Sequence, residues 1–279
     1  MKIMIREPVV SGQFYPENKK DLEKMIQDCI VHKFGPKNQI KNSNEKIYGV
    51  ISPHAGYEYS GPTACHSFCS VASQNPELII IVGPNHYGIG QNVATMSNIS
   101  WKTPLGTVLV NSKYSEEISN TSKFIKIDNY SHSRDHSLEV QIPMLQHLFS
   151  EKFQIVPIIL LEQNLETAID VGNAISKIAK KKNTLIIGSS DFTHYEENSF
   201  AYLQDEALIE PILKMNVEKF YQVLYEKRVT ACGFGAIAST MIACKNLGAT
   251  RGELLSYTTS GDISGDKDSV VGYGAIKFV

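Results

Sequence analysis

Leu78-Ile79-Ile80-Ile81-Val82-Gly83-Pro84-Asn85-His86 is the stretch that sets the architecture of this chain. An uninterrupted apolar, largely β-branched run reads as a strand buried on both faces, and it stops at a Gly-Pro-Asn loop ending in histidine. The same order recurs twice. Ile47–Ile51 leads into Ser52-Pro53-His54, and Thr184–Ile187 leads into Gly188-Ser189-Ser190-Asp191-Phe192-Thr193-His194. Such strands belong to α/β sheets, where ligands bind in the crevice outside the carboxyl ends of the strands. His54, His86 and His194 are therefore the candidates to meet at one centre. His54 and His86 are separated by about 30 residues, the length of one strand-helix-strand unit, so their loops leave neighbouring strands.

Outward from these strands, elements alternate without a composition break or a repeat, which predicts one domain over 1–279. Asp21–His32 carries Leu22, Met25, Ile26, Cys29 and Ile30 at helical spacing, followed by a polar connection from Gly35 to Lys46. Ser60-Gly61-Pro62-Thr63 reads as a helix start, because proline is tolerated in the first turn. A hairpin is predicted around Trp101–Gly106, then a helix near Tyr114–Asn120. The polar cluster His132-Ser133-Arg134-Asp135-His136 feeds a helix over Leu138–Leu148. Phe153–Leu161 is a strand and Leu165–Lys181 a helix whose end, with Lys177, Lys180, Lys181 and Lys182, is a solvated face suited to a helix C-terminus. Helices over Phe200–Lys214 and Val217–Lys227 precede Cys232-Gly233-Phe234-Gly235, which opens another. The chain then returns in two strands, Glu253–Thr259 and Val270–Val279, around the polar turn Ser260–Asp268.

Composition bounds the function classes. With 279 residues, 42% hydrophobic and 20% charged, the chain can bury a full core. A net charge of −2 supplies no global field toward nucleic acid or an anionic membrane. No apolar run reaches the length of a membrane span, and Met1–Pro8 lacks the apolar region of a signal peptide, so a cytoplasmic location is expected. The five cysteines lack the tight spacing of a metal knuckle and read as reduced thiols, Cys65 and Cys69 as small core residues on one helix face. Cys232 differs. At a helix N-terminus the positive end of the dipole favours its thiolate, which makes it the best candidate for a reactive or metal-bound sulfur.

Two neutral imidazoles, one anionic ligand and open positions form the general pattern of a mononuclear iron or zinc site. A serine nucleophile fits worse, because no Gly-x-Ser-x-Gly elbow surrounds Ser189 and Ser190.

A family resemblance rests on several motifs in order. They are Arg6-Glu7-Pro8-Val9-Val10-Ser11-Gly12-Gln13-Phe14-Tyr15-Pro16, Pro53-His54-Ala55-Gly56-Tyr57, Gly83-Pro84-Asn85-His86, Asp135-His136-Ser137-Leu138-Glu139-Val140-Gln141, Ser189–Tyr195 and Cys232-Gly233. The chain resembles the Memo family, whose fold is related to the class III extradiol ring-cleaving dioxygenases. The resemblance implies a single α/β/α sandwich with a central mixed, mostly parallel sheet. It implies that His54, His86 and Cys232 are metal ligands, that His194 is the acid/base beside the metal, and that Asp191 orients an imidazole or a bound water. Tyr57 and His136 would line the cavity. The dioxygenases complete their iron site with a glutamate, whereas Cys232 stands here. A thiolate favours Fe(II), Zn(II) or Cu(I), of which the resemblance to the iron dioxygenases puts Fe(II) first, and it changes how a metal handles oxygen, so catechol cleavage does not follow from the fold.

Two functional classes are implied. One is a metal-dependent redox enzyme acting on a small substrate or protein target. The other is a non-catalytic adaptor receiving a phosphotyrosine-like or other anionic aromatic ligand in the same cavity, although no Arg-rich pocket marks these loops. Microbial members of the family are described within the AmmeMemoRadiSam set, which implies a radical-SAM protein and a further small protein as partners.

Overall fold

In the computed structural model, which describes residues 4–37, 45–149 and 153–279, the β-branched runs form the middle of a mixed sheet. The strands are β1 (Met4–Arg6), β2 (Gly49–Ser52), β3 (Leu78–Pro84), β4 (Val93–Thr95), β5 (Ile99–Thr103), β6 (Gly106–Val110), β7 (Lys126–Ile127), β8 (Gln154–Leu160), β9 (Thr184–Ser189), β10 (His194–Glu196), β11 (Gly252–Thr259) and β12 (Val270–Phe278). The helices are α1 (Lys19–Val31), α2 (Tyr57–Val71), α3 (Ser112–Thr121), α4 (Gln141–Leu148), α5 (Leu165–Ala179), α6 (Asn198–Leu213), α7 (Val217–Glu226), α8 (Phe234–Leu247) and α9 (Ser260–Ser264). Strand order is β1-β5-β6-β8-β3-β9-β2-β12-β10, with β11 against β12 and β4 against β8. The central run from β6 to β2 is parallel.

Period-two geometry divides the central strands between two cores. Leu78, Ile80 and Val82 of β3 pack with α5 and α8, while Ile79 and Ile81 pack with α1, α2 and α4 on the opposite face. Helices thus cover both faces, which is why these strands read as continuous apolar runs. The result is the expected α/β/α sandwich with a mixed, mostly parallel sheet. Asn18, Asn164 and Asn216 start α1, α5 and α7 by accepting backbone N–H bonds.

Some boundaries differ from the sequence expectation. Helix α2 begins at Tyr57 rather than near Ser60, so Pro62 falls in its second turn and leaves the Glu58 carbonyl without a helical donor. Helix α4 begins at Gln141, because the residues from Asp135 to Val140 are drawn into the site described below. Strands β1 and β10, three residues each, are too short to declare themselves in sequence. The connection predicted from Gly35 to Lys46 lies partly outside the described residues. The turn Ser260–Asp268 contains α9, started by a Thr259–Asp262 capping box. Lys181 and Lys182 pair with Glu117 and Glu77 at the surface, and Cys65 and Cys69 are buried. Among the described residues no helix is long and apolar enough to cross a membrane.

Candidate metal centre

Strand β9 lies between β3 and β2, so the His54 and His86 loops do not leave neighbouring strands as their spacing predicted, because the later strand β9 inserts between them; the loops after all three still open at one edge of the sheet. His54 follows β2, His86 follows β3, and Asp191 and His194 follow β9. The segment ahead of α4 crosses this edge and contributes Asp135 and His136. Cys232 arrives from the other side at the start of α8, next to Gly233. A Cβ on Gly233 would lie 2.5 Å from the Ser189 carbonyl oxygen and 2.8 Å from Ser190 Cβ. Only glycine lets this helix start approach the β9 loop so closely.

His54, His86 and His136 each offer a ring nitrogen, and the three nitrogens lie within 4.8 Å of one another. This is the spacing of a metal-binding cluster. The His54 ring stands nearly perpendicular to the other two, at 82° and 84°, whereas His86 and His136 stack 12° from parallel with centroids 4.6 Å apart. Phe14 covers His136 at 4.6 Å.

The surrounding hydrogen bonds fix the tautomers. Ser189 Oγ donates to the Ser137 carbonyl at 2.6 Å, so its 3.0 Å contact with His54 Nδ1 makes His54 the donor. His86 Nδ1 faces Asp135 Oδ2 at 3.2 Å, and the same oxygen accepts the His86 backbone N–H at 2.7 Å. His194 Nδ1 faces the carbonyls of Phe192 and Thr230 at 2.7 and 3.0 Å. All three imidazoles therefore carry a proton on Nδ1 and turn Nε2 away from these partners, the arrangement in which outer partners orient a ligating histidine.

Burial keeps His54 and His136 neutral and therefore able to ligate. Burial, reinforced by His86 and His136, holds His54 well below the usual histidine range. Burial and then His86 push His136 down to about 4. Burial works to raise the Asp135 carboxyl, but the hydrogen bond and charge of His86 and the Ser137 bond override it and hold the group well below the carboxylate range. Burial lifts Asp191 to about 6, against the hydrogen bond from the His54 amide.

Cys232 Sγ lies 3.2 Å from His54 Nε2 and accepts the Asp191 backbone N–H at 3.3 Å. Burial and then the Asp191 carboxylate push its thiol up, so without an ion the sulfur keeps its proton. The sequence reading placed His136 in the cavity wall and Cys232 among the ligands. In the structure His136 belongs to the cluster of three nitrogens, and Cys232 adjoins that cluster through His54. Tyr57 is not at the cluster: it is buried, and its hydroxyl donates to the Val140 carbonyl at 2.6 Å. Sequence reading did not foresee the roles of Ser189, Gln141 and Asp135. Gln141 Nε2 donates to Ser189 Oγ at 2.7 Å and to the Pro53 carbonyl at 3.0 Å, bracing the His54 loop. Only the polarity of a buried-looking stretch signalled these residues.

Comparison with known proteins identifies the family. The family model described as Memo-like protein matches residues 6–277. The chain belongs to the Memo family. A MEMO1 family protein of Nitrosopumilus maritimus is 71% identical over 276 residues, covering 99% of this chain and 100% of that one. A MEMO1 family protein of Methanopyrus kandleri is 42% identical over 281 residues, with 99% of each covered. Among solved structures, an uncharacterized protein of Escherichia coli K12 superposes on this Memo family member with a TM-score of 0.54 at 11% identity, covering 82% of this chain and 99% of that one. That likeness concerns the fold alone.

Proposed function

We propose that the chain binds one metal ion through His54 Nε2, His86 Nε2 and Cys232 Sγ, and uses it in redox or oxygen-linked chemistry on a small substrate or protein target. The carrying observation is the 3.2 Å contact between Cys232 Sγ and the unprotonated His54 Nε2, where an ion would take the place of the thiol proton. With metal–nitrogen and metal–sulfur bonds of about 2.0 and 2.3 Å, a tetrahedral site spans about 3.5 Å from nitrogen to sulfur. The His54 and Cys232 donors fit that span, whereas Cys232 stands outside the group of atoms within 4.8 Å of one another, so His86 and the sulfur must close toward each other to share the ion. The ring planes argue against His86 and His136 binding one ion together as they stand. An ion lies in the plane of the imidazole that binds it, and stacked rings 12° from parallel share no such point unless one turns.

A thiolate and two imidazoles suit Fe(II), Zn(II) or Cu(I), and the resemblance to iron dioxygenases puts Fe(II) first. Bound there, such an ion supplies Lewis-acid polarisation and, if iron, a redox couple. The protein supplies the rest. His194, held with Nδ1 protonated by two carbonyls, presents Nε2 to accept a proton, and Asp191 braces the His54 backbone.

The test is anaerobic titration of tag-free protein with Fe(II) and Co(II). Wild type is expected to hold about one equivalent, with Cys232→Ser and His86→Ala each weakened by about 10-fold to 100-fold or more and His136→Ala within a few-fold of wild type. If His136→Ala loses the ion and Cys232→Ser keeps it, the ion rests on three imidazoles and the thiolate assignment is wrong. If wild type retains no metal, the metal reading falls.

A further inference from the structure

Glu139 is fully buried three residues after His136, and its carboxylate gathers donors from a distant part of the chain. Arg6 Nη1 reaches Oε2 at 2.5 Å, the Val9 and Val10 amides donate at 2.9 to 3.1 Å, and the Tyr15 hydroxyl donates at 2.7 Å. Arg6 is itself buried, its guanidinium stacked 4.0 Å over Trp101, and it uses its remaining donors on the chain that carries the site. Nε donates to the His132 carbonyl at 2.9 Å and Nη2 to the Asp135 carbonyl at 2.7 Å. The pair thus fastens both ends of the 132–139 segment to the N-terminal strap that brings Phe14 onto His136.

From that segment the connection to the metal cluster is short. Asp135, gripped by Arg6 at its carbonyl, holds both the backbone and ring N–H of His86 through its carboxylate. His136, the next residue, stacks on the same imidazole. A buried carboxylate that satisfies one cation and three neutral donors has no slack, so loss of its charge loosens Arg6 as well.

We infer that Glu139, acting through Arg6, is a positioning residue for His86 and His136, so that the N-terminal strap sets the geometry of the metal cluster without contributing a ligand. This rests on the metal reading above only for its effect on affinity. The placement of the two imidazoles follows from the contacts alone.

The experiment compares wild type, Glu139→Gln and Arg6→Lys with Ile175→Ala, a core truncation in α5 that packs in the other cluster and serves as the control for destabilisation. Glu139→Gln keeps the shape and removes the charge. Arg6→Lys keeps the charge and removes the planar fork, and it stands in if the first variant fails to fold. Two readouts are taken on folded protein, the carbon-bound ring-proton NMR resonances of His86 and His136 without metal, and Co(II) affinity with its visible and near-ultraviolet spectrum. Expected are shifted His86 and His136 resonances and Co(II) binding weakened by about 10-fold to 100-fold in both site variants, with Ile175→Ala like wild type. Unmoved resonances in a folded Glu139→Gln or Arg6→Lys protein, or equal shifts in Ile175→Ala, overturn the inference. Shifted resonances in a protein whose wild type takes no Co(II) support the positioning role and overturn the metal reading instead.

Discussion

Asp205 offers a quantitative test of how the His194 loop is held. The carboxyl is fully buried in α6, accepting from the Thr193 backbone and hydroxyl at 3.1 and 2.7 Å and from the Tyr257 hydroxyl. Burial raises it to about 6 from an ordinary value of 3.8, with the Thr193 and Tyr257 bonds opposing the rise. The sign follows from proton binding. Between pH 3.8 and about 6 the native state holds a proton that the unfolded state has released, so stability falls as pH rises through this window. A shift of about two units corresponds to about 3 kcal/mol, fully present below pH 4 and lost by about pH 7. Wild type alone will not reveal this, because Asp191 shifts the same way while the buried His54, His132 and His136 imidazoles lose stability as pH falls. Asp205→Asn isolates it. The variant keeps an oxygen for Thr193 and turns its amide toward the Tyr257 hydroxyl, and every other titration cancels in the difference. Urea unfolding followed by circular dichroism at pH 4, 5, 6 and 7 should show the variant gaining on wild type by about 2.4 kcal/mol across the series, the rest of the effect lying below pH 4. A difference flat to within about 0.5 kcal/mol, or falling with pH, would refute the assignment of a neutral buried carboxyl.

Gly272→Ala should destabilise by about 1–3 kcal/mol, because the new Cβ would lie 2.1 Å from Asp205 Oδ2 and 2.6 Å from the Tyr257 hydroxyl oxygen; an unchanged urea midpoint would contradict the packing. Tyr57→Phe removes the donor to the Val140 carbonyl and should cost about 1–3 kcal/mol, read as a lower midpoint at unchanged denaturant slope. His194→Ala should leave metal stoichiometry intact, since neither its ring nor the loop ahead of it supplies an assigned ligand. Loss of the ion in that variant would place His194 among the ligands.

How much was legible in sequence depended on the range of the interactions involved. Runs such as Leu78–Val82 and Thr184–Ile187 declared buried parallel strands, because a strand covered on both faces cannot alternate polar and apolar residues. The loops ending in His54, His86 and His194 were legible for the same reason, since a parallel sheet sends the carboxyl ends of its strands to one edge. Helix beginnings were less so: α2 starts ahead of the Ser60–Thr63 signal because tertiary packing outweighs a local preference. Cys232 was legible as a chemically distinctive residue, but its 3.2 Å approach to His54 depends on Gly233 meeting the β9 loop, a contact between segments far apart in sequence. His136 read as a wall residue because nothing local records that it stacks on His86. Asp135, Ser189 and Glu139 gave no individual signal at all. Their roles are hydrogen bonds to partners remote in the chain, and a hydrogen bond is decided by ångström-scale distance and direction that residue order does not encode. Sequence alone determined the layers of the sandwich and the edge where the chemistry gathers. The tertiary structure decided which nitrogens and which sulfur face one another there, because only packing brings the strap, the sheet edge and α8 together.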